Sequence, residues 1–161
     1  MGSIVQFIAA DPDGLLPPAA QVKAALEILS RRFPIATDIS VTEHDTVVLI
    51  DCGEDLMTVR CPSCGADLLE DRRWQQMMDS AWEAGMRHRS FDLPCCGVNH
   101  ALEDLAYDWP MGFGRFSLDV WDPDVTWFLP DGRGDATQAR AILKELGTTL
   151  GVEMQAIWRH L

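Results

Sequence analysis

Two short cysteine clusters, separated by residues 66–92, constrain the fold of this chain more than any other feature. They are Cys61-Pro62-Ser63-Cys64-Gly65 and Leu93-Pro94-Cys95-Cys96-Gly97. The glycine that ends each cluster lets the backbone turn so that amides can point at thiolate sulfur, the form that zinc binds. The pattern predicts a two-part zinc site that ties together the two ends of the intervening segment.

The two clusters differ in how their ligands are arranged. The first matches a zinc knuckle of the form Cys-Pro-x-Cys-Gly in full. In the second, alignment on Pro94 and Gly97 places Leu93 where a knuckle has its outer cysteine, and Cys95 at the variable position. The predicted metal ligands are Cys61, Cys64, Cys95 and Cys96, with His100 or His88 as a substitute for one of the adjacent pair.

A zinc ion closed in by four cysteines is structural, whereas a catalytic zinc needs an open position and a general base. No His-Glu-x-x-His or His-x-Glu motif supplies such a base. Two other interpretations of the clusters are buried free thiols and a redox pair at Cys61 and Cys64. Cys52 lies outside both clusters, and we interpret it as a core or turn thiol.

Length and composition indicate one soluble domain. A chain of 161 residues with 47% hydrophobic content can bury one sizeable core, so we expect a single domain over 1–161 with a zinc-centred segment at 56–110. No segment has the run of apolar residues that a membrane span needs, and the first residues lack a secretion signal. An odd number of cysteines, two of them adjacent, favours metal thiolates in the cytoplasm over disulfides.

The net charge of −12 is unevenly distributed. Residues 1–59 and 90–161 each carry a net charge of −6, with nine acids against three bases and eleven against five, while 60–89 are neutral with five of each. Such a field repels nucleic acid and favours a basic protein partner. The alternative is that the acidity serves solubility alone.

The hydrophobic pattern predicts an α+β fold with a mostly antiparallel sheet, flanking helices and a split zinc-ribbon-like metal site. Strands are expected over 4–10, 39–51 (or a hairpin there), 56–60, 87–93, 116–121 and 152–158 (or a last helical turn). Helices are expected over 17–33, 67–84, 99–107 and 136–146. The second helix carries its apolar residues on one face, namely Trp74, Met77, Met78, Ala81 and Trp82.

The two ends of the chain share a spacing. Gln21-x-x-Ala24-x-Leu26-x-x-Leu29 recurs as Gln138-x-x-Ala141-x-Leu143-x-x-Leu146, and each follows an expected strand and an Asp-Pro-Asp triplet. A duplicated strand-helix unit would explain this, and so would coincidence between two amphipathic helices.

Aromatic residues are concentrated after residue 106, and they have two interpretations. They either pack the core beside the metal, or they form an aromatic centre with an acidic rim that binds a basic protein. The residues of that second interpretation are Trp121, Trp127, Phe128, Asp122 and Asp124.

Three motifs together resemble a family of small uncharacterised bacterial proteins with a split zinc-ribbon-like centre. They are the two cysteine clusters and the run Asp104-Leu105-x-Tyr107-Asp108-Trp109-Pro110-x-Gly112-Phe113 with Arg115-Phe116. The resemblance implies a bacterial cytoplasmic protein and supports adjacent Cys95 and Cys96 as paired ligands. It implies no activity.

Three hypotheses for function follow. The first is a non-enzymatic, zinc-stabilised acidic module that binds a basic protein, for example an immunity-type neutraliser of a toxin. The second is a zinc hydrolase with an open metal position. The third is a nucleic-acid-binding zinc ribbon that uses the arginines of the neutral segment, namely Arg60, Arg72, Arg73, Arg87 and Arg89.

Overall fold

The computed structural model describes residues 2–53, 56–124 and 136–161. The helices in this part of the chain are α1 (Ala19–Arg32), α2 (Arg73–Glu83) and α3 (Ala136–Leu150). The strands are β1 (Ser3–Ala9), β2 (Asp38–Ile50), β3 (Val59–Arg60), β4 (Ser90–Asp92), β5 (Asn99–Ala101), β6 (Ala106–Tyr107), β7 (Gly112–Trp121) and β8 (Met154–His160).

Four strands form the main sheet in the order β2-β7-β1-β8, and every neighbouring pair is antiparallel. Helix α1 connects β1 to β2, and α3 precedes β8, so the main sheet and its two helices follow the order βαββαβ. This is the ferredoxin-like, or split βαβ, arrangement. The predicted α+β class with a mostly antiparallel sheet is confirmed.

One face of the main sheet packs against α1 and α3. Alternate residues of the central strands point to this face, because successive side chains of a strand lie on opposite sides. The buried cluster includes Val5 and Phe7 of β1, Leu118 of β7, Leu29 of α1 and Leu146 of α3. Burial of these side chains stabilises the sheet and its two helices as one unit.

The two similar helices occupy equivalent positions. Each lies between a central strand of the sheet and an edge strand, with α1 between β1 and β2 and α3 between β7 and β8. The shared spacing around Gln21 and Gln138 thus lies on helices in equivalent positions, and duplication and coincidence both remain explanations of it.

The chain between β2 and β7 forms a separate module, which we call the inserted module and define as residues 56–110. It contains α2 and the two short antiparallel pairs β3–β6 and β4–β5. Its buried cluster includes Cys61, Leu68 and Leu93, joined by Val47 of β2 and Phe113 of β7. The module's own apolar core thus extends onto one end of the main sheet.

The prediction of a helix over 99–107 is wrong. Residues 99–101 form β5, residues 102–104 form one 3-10 turn, and residues 106–107 form β6. Asn99 does not cap a helix; its side-chain amide donates to the Asp92 carboxylate at 3.0 Å across the β4–β5 pair. Pairing with β4 outweighs the local helix signal of so short a segment.

The helix expected over 67–84 begins later than predicted. The Asp67 carboxylate accepts from the Leu69 amide at 3.0 Å, and Asp71 and Arg72 both have positive φ, so α2 starts only at Arg73. Its apolar face is also narrower than expected, because Trp82 is 69% exposed.

The boundaries of the other strands differ less from the predicted ones. Residues 39–51 form a single bulged strand rather than a hairpin, the strands expected at 56–60 and 87–93 shorten to β3 and β4, and 152–158 is the edge strand β8.

Candidate metal centre

The first cysteine cluster forms a tight turn at the end of β3. The Cys61 amide donates to the Ala66 carbonyl, and the Gly65 amide donates to the Cys61 carbonyl, both at 2.9 Å. Gly65 has φ of +76°, a left-handed conformation that glycine adopts without strain. A bridge between Arg60 and Asp67 closes the hairpin.

The second cluster forms the same turn at the tip of the β4–β5 hairpin. The Leu93 amide donates to the Val98 carbonyl at 3.0 Å, and the Gly97 amide donates to the Leu93 carbonyl at 2.8 Å. Gly97 has φ of +77°. Leu93 therefore occupies the position that Cys61 holds in the first turn, as the alignment on Pro94 predicted.

The two turns face each other and bring four sulfur atoms together. These Sγ atoms all lie within 4.8 Å of one another, and those of Cys61 and Cys96 are 3.7 Å apart. Four sulfurs at about 2.3 Å from a tetrahedral zinc ion are roughly 3.8 Å apart. The cluster could therefore hold a metal ion, with the ligands Cys61, Cys64, Cys95 and Cys96.

The environment of each sulfur sets its proton affinity. Burial acts to raise the pKa of Cys61, but hydrogen bonds outweigh it and lower that pKa to about 6. The main donors are the backbone amides of Cys64 and Ser63, at 3.5 and 3.4 Å from the sulfur. Burial, followed by hydrogen bonds with neighbouring thiols, raises the pKa of Cys95 to about 12. In the metal-free site, the negative charge is therefore concentrated on the Cys61 sulfur. This charge attracts a cation to the site.

His100 contacts the first turn but is not one of the clustered residues. It pairs with Phe91 in the β4–β5 hairpin, and its Nε2 lies 2.7 Å from the Ser63 hydroxyl. Ser63 belongs to the first turn, so this hydrogen bond links the two turns. The other proposed substitute, His88, is exposed and also lies outside the cluster.

Cys52 lies away from the site, as expected. It is fully buried in a small apolar cluster with Ile8 and Ile157 on the side of the sheet opposite α1 and α3. Its sulfur is 3.4 Å from that of Met111.

One residue of the expected aromatic-acidic patch, Asp122, has a structural role. The Asp122 carboxylate accepts hydrogen bonds from the Ser3 amide at 3.0 Å and the Thr37 hydroxyl at 2.9 Å, and these bonds lower its pKa. Trp121 is half-buried, and Asp124 is exposed. The two remaining aromatic residues of this patch, Trp127 and Phe128, lie outside the described residues.

An ion pair that the sequence pattern does not indicate joins the module to the main sheet. The Arg89 side chain is 5% exposed and lies 2.6 Å from the Asp13 carboxylate, in the loop after β1, and 3.3 Å from Glu103. Burial acts to lower the pKa of Arg89, but hydrogen bonds to these two carboxylates raise it. The sequence pattern groups Arg89 with the surface cations, because a single sequence gives no signal for a partner 76 residues away.

Within the described residues, no helix combines the length and the apolar character that crossing a bilayer requires. In comparisons with known proteins, no protein-family model, curated protein or solved structure matched this chain.

Proposed function

We propose that the four-cysteine cluster binds Zn²⁺ and that this zinc is structural. The observation that carries the proposal is the meeting of four sulfurs within 4.8 Å on two matching turns. Four thiolates fill the coordination sphere of a tetrahedral zinc ion and leave no position for water. This favours a structural site over the hydrolase hypothesis, which needs His100 or water as a ligand.

The proposed zinc stabilises the inserted module. Cys61 and Leu93, the first residues of the two turns, belong to the module's buried cluster. That cluster also contains Met77 and Ala81 of α2. A metal bond between the turns would therefore hold the two hairpins and α2 in one arrangement, since ligation free energy contributes directly to folding in small metal sites.

Cobalt substitution tests the identity of the ligands. Co²⁺ in a site of four thiolates is expected to give the intense charge-transfer and visible bands of tetrahedral sulfur coordination, with one metal per chain by elemental analysis. A spectrum of mixed nitrogen and sulfur coordination, or of five-coordinate cobalt, would favour the open site instead. His100→Gln is the matched control, and it should leave the spectrum unchanged.

For the protein as a whole, we propose a non-enzymatic acidic module that binds a basic protein, with an immunity-type neutraliser of a toxin as one form of it. The support is the net charge of −12 on 161 residues. Two of the clustered cysteines, Cys64 and Cys96, are exposed, which is consistent with the reducing conditions of a cytoplasm.

Nucleic-acid binding is the weaker proposal, because three of the five arginines of the neutral segment are engaged within the protein. Arg89 is buried, Arg60 donates to the Gly65 carbonyl at 3.1 Å, and Arg73 lies 3.6 Å from the Asp71 carboxylate. These contacts leave few free cations to neutralise phosphates.

Affinity capture followed by titration tests the partner class. The tagged, zinc-loaded protein is incubated with native lysate, captured proteins are identified, and their affinities are measured with purified components at two salt concentrations. The expected partner is basic, and its affinity should fall about tenfold or more as salt rises from about 0.05 to about 0.3 M. An acidic partner, or an affinity insensitive to salt, contradicts the proposal.

A further inference from the structure

A groove of about 690 Å³ lies between α2 and the side of the main sheet that faces away from α1 and α3. The helix lines it with Met78, Asp79 and Trp82, and the sheet lines it with residues that include Leu49 and Arg159. It lies outside the metal centre, but the inserted module forms one wall. Its mixed lining of apolar and polar side chains is typical of a binding site.

Trp82 presents an indole ring to solvent at this groove. Its neighbours on α2, Met77 and Ala81, are buried in the module core, whereas Trp82 is 69% exposed. Tryptophan is seldom left so exposed in a soluble protein, because burial of its ring contributes strongly to folding. Because it lines the groove, the exposed ring is available to contact a ligand.

Asp79 supplies unpaired negative charge beside this ring. It lies three residues before Trp82, so the two side chains are neighbours on one face of the helix. Among the described residues, no partner donates a hydrogen bond to the Asp79 carboxylate or forms an ion pair with it. The other acid of the groove, Asp51, lies 3.8 Å from the guanidinium of Arg159, which offsets its charge.

We propose that the groove binds an arginine side chain of a basic protein, with the guanidinium stacked on Trp82 and hydrogen-bonded to the Asp79 carboxylate. This inference rests on the proposed function and names its recognition site. An indole face attracts cations, and the planar guanidinium combines stacking with hydrogen bonds to a carboxylate. Arginine is preferred over lysine because it is less strongly hydrated. Met78 and Leu49 are positioned to contact its aliphatic stem.

Calorimetric titration of the full-length, zinc-loaded protein with capped peptides tests the chemistry of the ligand. The probes are hexa-arginine, hexa-lysine and hexa-citrulline, in which a neutral urea replaces each guanidinium. We expect hexa-arginine to bind several-fold more tightly than hexa-lysine, and hexa-citrulline not to bind. Equal binding of hexa-citrulline would overturn the proposal in favour of a neutral ligand, and no binding of hexa-arginine would also overturn it.

Matched variants then locate the binding site. Trp82→Ala and Asp79→Asn should each weaken hexa-arginine binding by about tenfold. The controls lie on the inserted module but outside the groove lining: Met57→Ala removes an apolar side chain that is 72% exposed, and Glu70→Gln removes one exposed charge.

The controls should change the affinity less than about twofold. If Glu70→Gln weakens binding as much as Asp79→Asn does, the general acidic field binds the peptide and the groove does not. That result overturns this inference but leaves the proposed basic partner standing. Thermal melts of each variant verify that it is folded.

Discussion

At the scale of single residues, a leucine replaces a cysteine without loss of the four-sulfur site. Leu93 is 1% exposed and keeps the backbone hydrogen bonds of a knuckle, including the one from the Gly97 amide. The turn depends on backbone conformation rather than on its first side chain. Cys95, two positions further on the same turn, supplies the fourth sulfur.

Removal of a clustered cysteine is expected to abolish metal binding and to lower the free energy of unfolding. Cys61→Ser should cost more than about 4 kcal/mol, since loss of a structural metal is among the largest single-site effects. Denaturant unfolding and the cobalt spectrum measure the two effects. Cys52→Ala is the control, because it removes a buried sulfur outside the cluster. It should destabilise through packing but retain the cobalt spectrum, and loss of that spectrum would contradict the assignment.

The pH dependence of metal binding follows from the pKa of Cys61, which is lowered from 9.0 to about 6. A lowered pKa stabilises the metal-free fold above the unfolded value, and this contribution is lost as pH falls through the folded value. The contribution of Cys95 to stability has the opposite pH dependence. Its pKa is raised to about 12, so this contribution is present below pH 9.0 and lost as pH rises toward 12.

At pH values below its pKa, Cys61 must release a proton to bind metal. At pH values above its pKa, the thiolate is already formed. Cys95 releases its proton in both ranges. The number of protons released on zinc binding should therefore fall by about one between about pH 5 and about pH 8. Titration calorimetry in buffers of different ionisation enthalpy counts these protons. An unchanged count would show that Cys61 is not the acidic thiol.

At the scale of elements, pairing between strands decides the secondary structure of segments whose local sequence is ambiguous. The segment at 99–107 has a helix-capping residue at Asn99, yet it forms β5 because residues 90–92 lie opposite as β4. By contrast, local signals suffice to predict α1. Its apolar spacing and the prolines that flank it favour the same helix that the tertiary contacts favour. The partnership of His100 with Ser63 likewise depends on two hairpins meeting, which no local pattern predicts.

Arg89 connects two elements that are distant in sequence, and its removal should loosen the module from the sheet. Arg89→Ala should cost about 2–3 kcal/mol, because it removes hydrogen bonds to charged groups and leaves Glu103, whose side chain is only 23% exposed, without its cation. Asp13→Ala should cost less than about 1 kcal/mol, because the Asp13 side chain is 68% exposed and solvent screens it. Denaturant unfolding measures both, and equal losses would contradict the assignment of Arg89 as the buried partner.

At the scale of the whole molecule, the metal centre and the main sheet have largely separate cores. The cluster under α1 and α3 draws on both helices and three strands of the sheet, whereas the four-cysteine site belongs to the inserted module. The two clusters contain different buried residues, so loss of one need not unfold the other.

Chelation of the metal should therefore unfold the module before the main sheet. Hydrogen exchange with a strong chelator is expected to show rapid exchange of the β4 and β5 amides, while those of β1 and its neighbours stay protected. Readdition of zinc should restore protection. Simultaneous loss of protection in both regions would show that the metal stabilises the molecule as one cooperative unit.

The sequence alone determined the α+β class, the first strand, the two long helices and the four cysteines whose sulfurs cluster. Each of these depends on local periodicity, on turn residues or on cysteine spacing, which neighbouring residues specify. Tertiary structure decided the strand order, the position of Leu93 in a knuckle turn, the burial of Arg89 and the exposure of Trp82. These depend on which surfaces meet after the chain has folded. Burial of apolar area and pairing of charges act between residues that are far apart in the sequence, so a short stretch of sequence does not specify them.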